Sequence, residues 1–196
     1  MTTLRPFRPE EFELVWAARA RSQSPTTRVT PMARRALERQ LARSGTFHQG
    51  SLRLAIDVGG RLVGEIDARC PPDAFPPGVY ELGVELYDEA DRGSGHGAEA
   101  VRQLVERLFR REGAERVQAS TAPGNAAMRG VLEKVGFSYE GTLRGFMPTR
   151  GGREDYVLYA LTRADWDAPE APTRRRRPQD VRALPARPSE TTGRTD

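Results

Sequence analysis

One cysteine, two histidines and a single lysine are the whole stock of three versatile side chains in this 196-residue chain. With Cys70 alone no internal disulfide can form, so nothing calls for an oxidising compartment. His48 and His96 offer no metal-ligand spacing, and no metal is expected. No apolar run approaches the roughly 18 residues that cross a bilayer. Met1-Thr2-Thr3-Leu4-Arg5 also lacks the apolar stretch of a signal peptide. The expectation is a soluble, cytoplasmic protein with no membrane partner.

The isoelectric point near 9.7 hints at nucleic acid. The hint weakens because the net charge is only +4 and the densest basic run, Arg174 to Arg177, lies outside the patterned part of the chain. Such a run is read as a solvated tail, and no nucleic-acid partner is expected. The length suits one domain with a substantial core.

Periodicity supplies the elements. Leu4, Pro6 and Phe7 suggest a short strand. Pro9 then opens a helix with Phe12, Val15 and Trp16 on one face, and Thr30-Pro31 caps a second helix carrying Leu37 and Leu41. Leu52, Leu54, Ile56 and Val58 alternate with polar residues. Gly59-Gly60 turns the chain, and Leu62, Gly64, Ile66 and Ala68 answer in alternation on the return. A strand from Val79 to Tyr87 leads through a glycine loop into a helix with Val101, Leu104, Val105 and Leu108, which ends at Gly113. A strand at Val117 and Ala119, a helix over Met128 to Val135, and two strands around 137–146 and 156–161 complete the pattern.

The order β-α-α-β-β-β-α-β-α-β-β predicts an α/β fold: a mixed sheet with helices on both faces. Residues 1–166 form the expected domain. From residue 167 onward the Arg- and Pro-rich composition buries too little apolar surface to offset ordering, and the tail reads as disordered.

The organising stretch runs from Tyr80 to Phe137. There Glu81-Leu82-Gly83-Val84-Glu85-Leu86 precedes Arg92-Gly93-Ser94-Gly95-His96-Gly97 at a helix start. A strand, a glycine loop and a helix N-terminus together aim backbone N–H groups at an anion. A nucleotide P-loop needs Gly-Lys-Ser/Thr, which is absent. Gly93, Gly95 and Ala98 fit a dinucleotide fingerprint, yet the next strand ends at Ser120-Thr121 without the ribose-binding acid. A pyrophosphate held by Arg92-x-x-Gly95-x-Gly97 is the third reading.

At this point the sequence resembles the GNAT N-acetyltransferases. The loop is similar to their acetyl-CoA signature. The run from Asn125 to Phe137 resembles their second cofactor segment. Glu140 to Arg144 and Tyr156 to Leu161 resemble the RimJ/RimL-type branch. The resemblance implies a splayed central sheet and acetyl-CoA as co-substrate. It also implies direct acetylation of a primary amine, on a protein N-terminus or a small molecule, by a monomer or homodimer. The cofactor would be held by Val84, Glu85 and Leu86, by the loop Arg92, Gly93, Ser94, Gly95, His96 and Gly97, and by Asn125.

Other roles stay open on the residues alone. Glu81 is the candidate general base, with Glu65 as fallback, on the expectation that a central strand partly desolvates it and raises its pKa. The competing reading is a solvated glutamate face. Asn125 either contacts the cofactor arm or caps the following helix, and His96 lends the anion its ring or only its backbone N–H. Positions where family members carry a side-chain acid hold Leu132 and Met128. The acid is left to water, Tyr87 or Tyr139, or a non-catalytic acyl-CoA-binding module becomes the alternative. The acceptor would sit among residues 22–30, 71–78 and 145–152.

Overall fold

The computed structural model describes residues 1–21, 29–71, 73, 76–149 and 151–168. The patterned segments become β1 (Thr2–Arg5), α1 (Phe12–Arg21), α2 (Pro31–Ala42), β2 (Ser51–Val58), β3 (Arg61–Arg69) and β4 (Val79–Leu86). They continue as α3 (His96–Arg111), β5 (Arg116–Thr121), α4 (Ala126–Val135), β6 (Ser138–Thr149), β7 (Gly152–Thr162) and α5 (Arg163–Asp167). The strands form one mixed sheet in the order β1-β2-β3-β4-β5-β7-β6. Only β4 and β5 run parallel.

Helices pack on both faces, as the element order predicts. On one face α3 buries Val101, Leu104, Val105 and Leu108, and α4 buries Leu132, against Leu54, Ile56, Ile66 and Val117 of the sheet. Each such side chain contributes about 1.5–3 kcal/mol. On the other face Val15 of α1 and Leu37 and Leu41 of α2 cover Ala55 of β2 and Leu62 of β3. The predicted cap of α2 forms: Thr30 Oγ1 accepts from Ala33 N–H at 3.1 Å, with Pro31 in the first turn.

Two local expectations change. Between Ile56 and Asp57 the β2–β3 register slips by a bulge, so Leu62 opposes Asp57 and faces α1 and α2 instead of sharing the Leu52–Ile56 face. The strands of the last hairpin are longer than their apolar pattern, because β6 and β7 continue as a ladder beyond the core. The last element lies at the end of the expected domain. Thr162 and Asp165 form a reciprocal capping box for α5, and Trp166 stacks on Phe109 at 5.3 Å. The tail read as disordered lies, from residue 169 on, outside the described residues.

Candidate active site

β4 is the fourth of seven strands, and its two edges differ. It pairs with β3 from Arg69↔Glu81 to Gly64↔Leu86 but meets β5 only at Val79↔Arg116, Tyr80↔Val117 and Glu81↔Gln118. Beyond that point Ala119 to Thr121 of β5 pair with β7, and the β5-side edge of β4 opens from Leu82 onward. The predicted splay is present. Tyr87 N–H donates to Val63 C=O at 3.0 Å, which fixes the alternation along the antiparallel ladder. Main-chain groups of Leu82, Val84 and Leu86 therefore point into the opening, and those of Gly83 and Glu85 point to β3. The expectation that Glu85 lends its main chain to the opening is corrected on this ground. Three alternate residues face it, Leu82, Val84 and Leu86, in place of the consecutive Val84, Glu85 and Leu86.

The glycine loop lies where β4 ends. After a 3-10 turn over Glu89–Asp91, Gly93 (φ 78°) and Gly95 (φ 84°) take left-handed backbone conformations that only glycine adopts cheaply. Gly95 is the N-cap of α3 and has no side chain to cap it, which leaves first-turn N–H groups for an anion. Gly97 needs neither special φ nor empty space, since a Cβ there would meet Leu86 and Val131 at ordinary distances of 3.9 and 4.0 Å. The Arg92 guanidinium reaches back to the Leu86 carbonyl at 3.5 Å, over the open edge, and is more than half exposed.

Two contacts fix the loop. Arg61 of β3 holds buried Asp91 through two hydrogen bonds of 2.9 and 2.6 Å, which keeps that carboxyl below its ordinary pKa. The His96 ring lies 2.9 Å from Thr2 Oγ1, on β1. Of the two readings of His96, the structure places the ring on β1. Asn125 caps α4, its Oδ1 accepting from Met128 N–H at 3.1 Å. Its exposed side-chain NH₂ group can still donate elsewhere.

The sheet face beneath α1 is polar between β2 and β4. Here the Glu81 side chain is partly covered, 40 % exposed, and lies 3.5 Å from Arg69. It sits at the last β4–β5 pair, whereas the apolar cover from α1 and α2 lies over β2 and β3. The fallback, Glu65, is buried and held by Arg53 at 2.7 Å and Arg19 at 3.7 Å. The desolvated carboxyl is Asp67, which the sequence reading passed over. Its side chain is 16 % exposed, Arg69 lies 3.0 Å away, and burial pushes its pKa up against the pull of Arg69 and Arg53. An aspartate on the polar face of β3, opposite a glycine of β4, was the available signal. It needed the strand register to be read.

A model of the acetyltransferase (GNAT) domain matches residues 2–138, most of the chain. The chain belongs to the GNAT acetyltransferase family. YjcK of Bacillus subtilis, named a probable N-acetyltransferase, is 36% identical over 78 residues, covering 40% of this chain and 43% of its own. YdaF of the same organism, a candidate ribosomal N-acetyltransferase by name, is 32% identical over 87 residues, covering 44% and 47%. This GNAT chain thus matches about half the length of these relatives. Mycobacterium smegmatis RimJ, solved with CoA-disulfide, superposes with a TM-score of 0.71 at 21% identity, covering 85% of this chain and 84% of that one. YdaF and RimJ agree with the RimJ/RimL-type resemblance.

Within this GNAT fold Leu132 is fully buried in the core, and Met128 packs against it. Neither carries a proton. Tyr139 sits exposed on β6 with its hydroxyl 3.1 Å from Thr142 Oγ1. Tyr87 Oη is buried with no hydrogen-bond partner among the described residues, and burial raises its pKa further from neutrality. Of the three acceptor segments, residues 22–28, 72, 74–75 and 150 lie outside the described residues.

Proposed function

We propose that this protein transfers the acetyl group of acetyl-CoA directly to a primary amine. The observation that carries this reading is the parting of β4 from β5 after Glu81↔Gln118, with the uncapped, glycine-lined start of α3 beside it. Arg92 and the N–H groups around Gly93, Ser94, Gly95, His96 and Gly97 would hold the pyrophosphate. Val84 and Leu86 main-chain groups, with Asn125, would hold the pantetheine arm in the opening. Glu85 would contribute from the acceptor side through its side chain.

An acceptor reaches the protein as an ammonium ion and must lose a proton before its nitrogen can attack. Glu81, half exposed at the edge of the opening, is proposed as the base for that step, exchanging with solvent. A protein N-terminus and a small-molecule amine both remain in the acceptor class.

The test is thiol release from acetyl-CoA with kanamycin, spermidine and a peptide bearing a free N-terminus. Turnover of at least one is expected, with Glu81→Gln lowering kcat/KM for the amine roughly tenfold or more near neutral pH. Acetyl-CoA affinity should be unchanged. Because a solution amine deprotonates by itself at high pH, the deficit should shrink there. A near-normal Glu81→Gln enzyme removes Glu81 from the mechanism. Leu132 and Met128 at the acid positions favour a second reading, a non-catalytic acyl-CoA-binding module. Tight acetyl-CoA binding without thiol release would establish it.

A further inference from the structure

We infer that Asp67 takes the proton from the attacking nitrogen and returns it to the departing thiolate, one carboxylate serving in turn as base and acid. The inference rests on the acetyl-transfer reading above. Asp67 of β3 lies directly opposite Gly83 of β4, and residues paired in this way project on the same face. Gly83 has no side chain, and Asp67 Oδ1 stands 2.9 Å from where its Cβ would be. The carboxylate thus occupies the space above Gly83. Gly83 lies two residues past Glu81, the last residue of β4 that pairs with β5. Asp67 therefore stands over the first stretch of β4 whose other edge is open.

Its neighbours leave it available. Arg69 is on its own strand and more than half exposed, and Glu65 is tied to Arg53 of β2 and Arg19 of α1. From β4, Glu81 shares Arg69, and Glu85 lies on the same face, opposite Glu65. Of these charges Arg69, Arg53 and Arg19 steady the Asp67 anion and Glu65 opposes it, while burial sets the net direction upward. A carboxylate poorly solvated as an anion takes a proton more readily.

The step balances. The neutral nitrogen donates its lone pair to the thioester carbon, the C–N bond forms, and the carbonyl π pair moves to oxygen. Asp67 removes a proton from the cationic nitrogen. The carbonyl re-forms, the C–S pair leaves with sulfur, and Asp67 hands its proton to that sulfur. Amide and CoA thiol result, and the carboxylate is regenerated. No side-chain acid at Leu132 or Met128 is required.

The experiment uses the full chain with the same three amines, and acetyl-CoA hydrolysis without amine, from pH 6 to 9.5. Asp67→Asn should lower kcat about 100-fold or more at every pH, unlike the pH-dependent deficit of Glu81→Gln. Acetyl-CoA affinity by calorimetry and Tm should not fall. Gly83→Ala, whose Cβ would displace the carboxylate, should lose kcat similarly, and the double variant should be no slower than Asp67→Asn. If Asp67→Asn does not fold, Gly83→Ala and the longer Asp67→Glu carry the test. An active wild type matched within threefold by Asp67→Asn or, failing that, by Gly83→Ala overturns the Asp67 assignment alone. A wild type that binds acetyl-CoA and releases no thiol to any amine or to water overturns the enzyme reading, and this assignment with it.

Discussion

Gly95 and Gly97 look alike in the sequence, two glycines of one loop, and the backbone separates them. A Cβ at Gly95 would touch nothing within 4 Å, so the penalty for a side chain is purely conformational, from φ 84°. That penalty is about 1–2 kcal/mol. Gly95→Ala should therefore raise KM for acetyl-CoA roughly tenfold with little change in saturated kcat, since about 1.4 kcal/mol is a factor of ten. Gly97→Ala, with ordinary contacts to Leu86 and Val131, should stay close to wild type. Steady-state kinetics of the two variants check the pair, and equal losses would mean that side-chain bulk, not backbone conformation, governs the loop.

Between β4 and α3 the loop is anchored to β3 by Arg61–Asp91 and to β1 by Thr2–His96. Arg61 is more than half exposed while Asp91 is buried, so Arg61→Gln, which can still donate a hydrogen bond to that carboxylate, spares most of the stability. Its effect should appear in the loop: Arg61→Gln raises KM for acetyl-CoA several-fold while Tm moves little. A fall in Tm without a change in KM would make the pair structural only. This anchoring also marks what the sequence could reveal. The element order, the cap at Thr30 and the glycine loop rest on local periodicity and on residues with strong backbone preferences, so they were legible. Asp67 was not, because its placement depends on a β3–β4 register and on the absent side chain of Gly83, 16 residues along. The Leu62 flip was hidden for the same reason: one bulge reverses the faces, and no residue in the pattern announces it.

At the scale of the whole molecule, the N-terminal strand is fastened to the α1 face by a buried charge cluster. Arg5 hydrogen-bonds Glu11 at 2.5 and 2.9 Å and Asp57 at 2.8 Å, with the three side chains 18, 10 and 8% exposed. Burial pushes both carboxyls up, but their hydrogen bonds to Arg5, to Arg8 N–H and to Gly60 N–H outweigh it, and both end below the ordinary range. A folded carboxyl below its unfolded pKa stabilises fully above that unfolded value, near 4, and loses the contribution as pH falls through the depressed one. Arg5→Met reverses the sign. Two buried carboxylates lose their main partner, at a cost of about 3 kcal/mol near neutral pH, and their pKa values rise above those of the unfolded chain. Protonation on acidification then relieves the variant while it weakens the wild type. The Tm deficit of Arg5→Met should therefore be largest at pH 7 and narrow steadily toward pH 4. Thermal melts followed by circular dichroism across that range read it directly, and a deficit independent of pH would mean that Arg5 acts through packing of its stem and not through its charge.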